Sequence, residues 1–456
     1  MYKLFLCLRY LRKRRIAFFS IGAVTLCTAM VIIVMSVLGG FLGKYKEAAQ
    51  GIFGDIIIDG PGLVGFPYYE ELLTDLRKAP EIRAATPVIY AYGLVRLWRG
   101  NTQGIRIIGV DPAGKDQVST FKESLQQQKG HSGPPSFAPP EALRKTDRRE
   151  VPGCIFGYDV IHFYGEDNKH RRRVPLHHKV FLTTMPLTIS GALVGGSAPR
   201  ARTRGFYYVD DSKSKVWDLD SSSVYVELNV LQKMLEMDTF TDDKGRTRPA
   251  RVNQIQIKLA DGVSLTAGKA TIRKIHQAFA KRHPLRLIRE SLIQTWEEKQ
   301  AMHIGALVKE RNLVTIMFAI ISVVAVFLVF CIFFMIVVEK TKDIGIIKGV
   351  GGTSGGVATI FLWYGAAIGI VGAILGAVGG VLFVRNINEI HDWLAKNLGW
   401  QVWDPKVYIF DRIPDQVDYS TVAFVCLFAV GSAILGALLP AIKAARMNPV
   451  EALRYE

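Results

Sequence analysis

The sequence predicts a membrane protein that is α-helical in the bilayer, with four transmembrane helices and a large extracytoplasmic α+β domain between the first and second. Three observations carry this expectation. Residues 16–41, 314–338, 359–384 and 420–440 are long apolar spans, and a bilayer core needs about 20 such residues as helix. Residues 44–309 between the first two spans have ordinary globular composition, so the 49% hydrophobic average hides the organisation. Short basic flanks, finally, recur on one side of the spans only.

Taken in order, residues 1–43 form a basic tail and the first helix. Lys3, Arg9, Arg12, Lys13, Arg14 and Arg15 precede the span with no acid among them. A signal-peptide core is about 7–15 residues long and ends at an Ala-x-Ala-like site. This span is longer, and Ser36-Val37-Leu38-Gly39-Gly40 is a poor cleavage site, so it is expected to stay as an anchor. Residues 310–338 form the second helix, 339–358 a loop, 359–384 the third helix, 385–419 another loop, and 420–456 the fourth helix with its tail. The 339–358 loop carries Lys340, Lys342 and Lys348 against Glu339 and Asp343, whereas 385–419 is richer in acids than in bases. Lys and Arg in short loops mark the cytoplasmic side. Both termini and the 339–358 loop are therefore expected to be cytoplasmic, with the 385–419 loop outside.

Within 44–309, residues 54–60 read as a strand closed by Pro61-Gly62, residues 68–78 as a helix and residues 84–97 as an alternating strand. A further strand at 105–110 ends in a turn at Asp111-Pro112. The character then changes over 113–150, where Gln126-Gln127-Gln128, Pro134-Pro135 and Pro139-Pro140 predict an inserted mobile loop. Strands are expected at 179–184, 188–194, 223–228 and 253–259. Helices are expected at 229–237, 265–282 and 291–311, the last feeding the second span. The domain is net basic, in keeping with the +17 of the whole chain. Such a surface is compatible with membrane lipids or acidic partners, and nothing in it indicates nucleic acid. Cys154 is the only cysteine between 44 and 309, which excludes a disulfide within that domain.

No catalytic constellation stands out. Gly349-Val350-Gly351-Gly352-Thr353-Ser354-Gly355-Gly356 lacks the Lys-Ser/Thr end and the preceding strand of a phosphate-binding loop. Any ATP-driven work therefore needs a separate subunit. His162, His170, His177 and His178 surround Arg171-Arg172-Arg173 without metal-ligand spacing, so 162–178 reads as a basic exposed loop. Gly365, Gly369, Gly372, Gly376 and Gly380 form a small-xxx-small series for close helix packing, within the subunit or against a second one. Spans without buried charge offer no ion pathway. Residues 339–352 alternate charges with isoleucines and suggest a small amphipathic helix offered to a partner.

That segment, together with the C-terminal Pro440-Ala441-Ile442-Lys443-Ala444-Ala445-Arg446-Met447-Asn448-Pro449-Val450-Glu451-Ala452-Leu453-Arg454, resembles the permease subunits of FtsX/MacB-type ABC transporters. Within that group the chain looks most similar to the LolC/LolE lipoprotein-releasing permeases. Leu8-Arg9-Tyr10-Leu11, Ser223-Val224-Tyr225-Val226-Glu227-Leu228 and residues 407–414 add to the resemblance. It covers 1–60 and 220–456 well, and 113–215 poorly.

The resemblance implies a non-catalytic membrane subunit of the bacterial inner membrane with a periplasmic domain. It implies a dimer with a second permease subunit, bound to a dimer of cytoplasmic ABC ATPase subunits that hold the ATP and magnesium. Residues 339–352 would hold the coupling helix. Glu339, Lys340, Lys342, Asp343 and Lys348 would supply its polar part, Ile344 and Ile347 would fill a groove of the ATPase, and Gly345 and Gly351 belong to the same segment. Mechanotransmission through the second span would lift a lipoprotein out of the membrane toward a periplasmic carrier. The rival expectations are a MacB-like exporter of peptides or drugs and an FtsX-like regulator of a periplasmic hydrolase.

Overall fold

An apolar run without proline favours one unbroken helix, and the structure, a computed structural model, has helix α1 over Arg15–Phe53. Residues 15–146, 151–164, 170–194, 200–241, 247–400, 403 and 412–450 are described. The basic residues before Arg15, residues 147–150, most of 401–411 and the last six residues lie outside them, and so do the expectations that fall there. The chain splits into two compact units, Tyr45–Ile304 and a second made of Met1–Lys44 with Gly305–Glu456.

In the first unit one sheet is built from β1 (Ile56–Asp59), β2 (Ile82–Arg96), β3 (Thr102–Val110), β4 (Gly153–Gly157), β5 (Lys179–Thr184), β6 (Arg202–Ser212), β7 (Ser223–Glu227), β8 (Gln254–Leu259) and β9 (Leu292–Thr295). Their order is β9-β1-β8-β2-β3-β7-β4-β6-β5, and the far end of β2 pairs again with β5. Six strands thus close on themselves and remove two edges. The β3–β7 and β4–β6 pairs are parallel and the remaining pairs antiparallel. Alternation along the strands separates two cores. Ile56, Ile58, Ile255 and Ile257 join one, and Ile57, Val88, Val110 and Tyr225 the other. Helices α2 (Tyr69–Arg77), α4 (Leu228–Leu235) and α5 (Leu265–Arg282) bury one face each, α4 through Leu228, Leu231, Met234 and Leu235. Between β3 and β4 lies α3 (Pro112–Val118), N-capped by Asp111, whose carboxylate accepts from Gly114 N at 3.0 Å.

Three expectations are corrected here. Residues 188–194 form a turn closed by a Leu187–Leu193 bridge, not a strand. Residues 291–311 do not start as helix, because Leu292–Thr295 adds to β1 as an edge strand before the capping box of Thr295 and Glu298 begins a helix. The expected loop at 113–150 starts as α3 and is pinned into the core: Phe121, Leu125 and Phe137 are buried against Ile108, Ile155 and Tyr225. The polar run inside it is fastened from outside. Asp210 accepts the backbone N–H groups of Gln126, Gln127 and Gln128 at 3.2, 2.8 and 3.1 Å.

The second unit holds residues 15–44 of α1 with α6 (Ala301–Glu339), α7 (Thr341–Gly349), α8 (Ser354–Arg385), α9 (Ile387–Leu398) and α10 (Tyr419–Arg446). Helices α1, α6, α8 and α10 are long and apolar enough to cross a membrane. The glycine series of α8 is buried and divided between two neighbours. A Cβ on Gly365 or Gly369 would stand 2.6 Å from Ala437 or 2.9 Å from Ala433 of α10. On Gly372, Gly376 or Gly380 it would stand 2.8, 2.7 or 3.2 Å from Val24, Thr25 or Ala29 of α1. Backbones this close need residues without side chains. The seam therefore packs α8 against its own chain.

Candidate functional site

Helix α7 follows α6 after one residue and ends at the glycines that open α8. Gly351 has φ +98, a conformation glycine adopts freely, and Gly352 N donates to Ile347 O at 2.9 Å. A Cβ on Gly352 would lie 2.6 Å from that carbonyl oxygen. Thr353 then caps α8 by accepting from Gly356 N at 3.1 Å. The glycines are a tight helix-to-helix turn.

The two faces of α7 have different neighbours. Ile344 and Gly345 are buried, and Ile344 packs with Val337 of α6, Val357 of α8 and Ala444 of α10, with Ile347 alongside. Lys348 Nζ donates to Ala445 O and Met447 O at 2.8 and 2.7 Å, a cation on the C-terminal carbonyls of α10. Lys340 and Asp343 pair at 2.5 Å, and Glu339 is the last residue of α6. The outward face is Lys342, Ile346 and Val350, with Ile346 54% and Val350 86% exposed. Ile344, expected to fill a partner's groove, thus fills the core of its own bundle, and Lys348 holds α10. Spacing alone marks an amphipathic helix here but does not say which isoleucine points inward.

Between α1, α6 and α10 runs an almost wholly apolar cleft of about 230 Å³, lined among others by Val31, Met35, Phe318, Val326, Phe424 and Phe428. No local pattern in the chain announces it, because it depends on how three helices distant in sequence diverge.

In the described part of 162–178, Arg171, Arg172 and Arg173 are exposed, as expected of a basic exposed loop, whereas His162 is drawn inward. His162 lies against Asp211 at 3.7 Å, with its Nδ1 3.0 Å from Tyr158 O, and burial holds its imidazole below the usual range. Asp211 is fully buried, receives Arg172 Nη2 at 3.0 Å and accepts the Tyr208 hydroxyl. A buried carboxylate needs such partners, which is why His162 and the Arg172 guanidinium reach in toward Asp211. Among the described residues no group of His, Cys, Asp and Glu is arranged to hold a metal ion.

Residues 17–275 match the family model described as MacB-like periplasmic core domain, and residues 315–449 the one described as FtsX-like permease C-terminal. The chain is 25% identical to the lipoprotein-releasing system transmembrane protein LolC of Neisseria meningitidis serogroup B, over 98% of both chains. It is 21% identical to LolE of Haemophilus influenzae, over 96% of this chain and 94% of that one. Among solved structures, the periplasmic region of MacB from Actinobacillus actinomycetemcomitans is 13% identical, with 57% of this chain and 98% of that one covered and a TM-score of 0.31.

Proposed function

Because this chain belongs to the FtsX/MacB family of ABC transporter permeases, a family of non-catalytic membrane subunits that implies a partner ATPase, we propose that it releases lipoproteins from the inner membrane by relaying force from that ATPase. The α7 side of the bundle is cytoplasmic in this reading, as the basic short flanks favour, and the Tyr45–Ile304 unit is the family's periplasmic domain. The ATPase binds ATP and magnesium and grips Lys342, Ile346 and Val350.

The observation that carries the reading is the division of α7. Its inner face is locked to three membrane helices through Ile344 and Lys348, so displacement of its outer face moves the bundle rather than bending a loop. The cargo assignment is supported by relatives named LolC and LolE along almost the whole chain. It is also supported by the apolar cleft of α1, α6 and α10, which offers an acyl chain surroundings as apolar as the bilayer it leaves. A second permease subunit and a periplasmic carrier complete the proposed complex.

Depletion of the protein in its host is the direct experiment. Lipoproteins destined for the outer membrane should then accumulate in the inner membrane. Normal sorting under full depletion would overturn the cargo assignment.

A further inference from the structure

Helix α9 is separated from α8 by one residue, Asn386, so it starts where α8 leaves the apolar layer. Its first turn is fixed at that level. Arg385 Nη2 donates to the Tyr419 hydroxyl at 2.6 Å, tying the end of α8 to the start of α10. Asn388 clasps Ile413, donating from Nδ2 to its carbonyl at 3.1 Å and accepting from its N–H at 3.0 Å. Both contacts sit on the rim shared by two membrane-crossing helices.

The helix itself is amphipathic. Ile387, Ile390, Leu394 and Leu398 recur at helical spacing with Trp393 at the edge of their arc, while Glu389, Asp392 and Lys396 lie opposite. None of its residues is buried, and Trp393, Leu398 and the following Trp400 are 59%, 57% and 69% exposed. Indole rings and leucines so displayed at a membrane rim match the layer between head groups and acyl chains.

We propose that α9 lies in the plane of the membrane with Trp393 and Leu398 embedded in that layer, phospholipid being its partner. Its polar face carries Glu389 and Asp392 against Lys396, so apolar burial, not attraction to anionic head groups, holds it there. Zwitterionic lipid suffices. Embedded in this way, α9 fixes the height of α8 and α10 in the bilayer. The inference concerns lipid contact and holds whatever the cargo.

Spin labels test it on the full chain, reconstituted in zwitterionic phospholipid vesicles on a cysteine-free background. Labels are placed through Trp393→Cys, Leu398→Cys and, as the polar-face control, Asp392→Cys. At 393 and 398, collisions with lipid-soluble oxygen should exceed those with a water-soluble nickel chelate, relative to 392, by roughly threefold or more. The ratio should be unchanged when anionic lipid is added. Dominant nickel access at both sites would overturn the proposal in favour of a solvated helix, and protection from both reagents would overturn it in favour of a protein partner. Because 393 and 398 report separately, failure of one variant to fold leaves the other decisive.

Discussion

The Lys115 ammonium, 2% exposed, donates to the carbonyl of Ile52 at 2.6 Å in the last turn of α1. A helix end leaves its final carbonyls without partners, and here each of three is accounted for. Gln50 O accepts from Gly54 N at 3.0 Å, Gly51 O from Thr120 N at 2.7 Å, and Ile52 O from Lys115. Lys115 also donates to the Gln256 side chain, so α3 and β8 together hold the helix end. Burial lowers the Lys115 pKa to about 7 from the ordinary 10.5.

That shift has a definite sign. A lysine whose folded pKa is depressed disfavours folding fully below about pH 7 and is relieved as pH rises toward 10.5. Lys115→Met removes this dependence but leaves Ile52 O without its donor, at a cost of about 1–3 kcal/mol. The variant should therefore be less stable than the native chain at alkaline pH, and its deficit should shrink as pH falls from about 10.5 to about 7, with no further change below that. Amide exchange of β1 and β8 at several pH values measures this; a deficit independent of pH would contradict a buried ammonium.

Asp220 tilts stability the other way. Burial raises its pKa to about 7, although it accepts from Ser214 N, Ser214 Oγ and Lys215 N at 2.9, 2.7 and 2.9 Å. The folded state then holds a proton that the unfolded state releases, so stability falls as pH rises from about 4 to about 7. Asp220→Asn should abolish that fall. Thermal unfolding of both forms at acid and neutral pH separates the outcomes, and parallel profiles would exclude the assignment.

Much of this fold is readable along the chain. Each of the four spans lies inside a long helix, and α5 coincides with its expected 265–282 because its periodicity and Ser264 cap are local signals. What failed was settled by distant partners. Gln126-Gln127-Gln128 looks like a loop until Asp210 is placed beneath it, and Leu292–Thr295 looks helical until β1 offers an edge. At the candidate site, composition marked α7 as amphipathic. Only the positions of α8 and α10 decide that Ile344 is core and Ile346 surface.

The glycine seam gives a separable pair of variants. Gly369→Leu should push against Ala433 and Val430 of α10, and Gly376→Leu against Thr25 and Thr28 of α1. Overpacking of this kind costs about 1–3 kcal/mol or more where backbone blocks relaxation. Engineered cysteine crosslinks between α8 and each neighbour should be lost one at a time, α10 first and α1 second. Loss of an intersubunit crosslink alone would place the seam at a dimer contact.

Helix α7 yields the sharpest contrast, between two isoleucines two positions apart. Ile346 is 54% exposed and Ile344 is 2% exposed. An aspartate at 346 meets water and leaves the bundle intact, but it puts a charge where the ATPase is proposed to seat. An aspartate at 344 must be buried among Val337, Val357 and Ala444, which costs several kcal/mol. Ile346→Asp should thus keep membrane insertion and thermal stability while weakening copurification of the ATPase at least about tenfold, or about 1.4 kcal/mol. Ile344→Asp should lower stability first and association only as a consequence. If Ile346→Asp binds the ATPase as the native chain does, the outer face of α7 is not the docking surface. If Ile344→Asp is as stable as the native chain, α7 is not seated on the bundle as described.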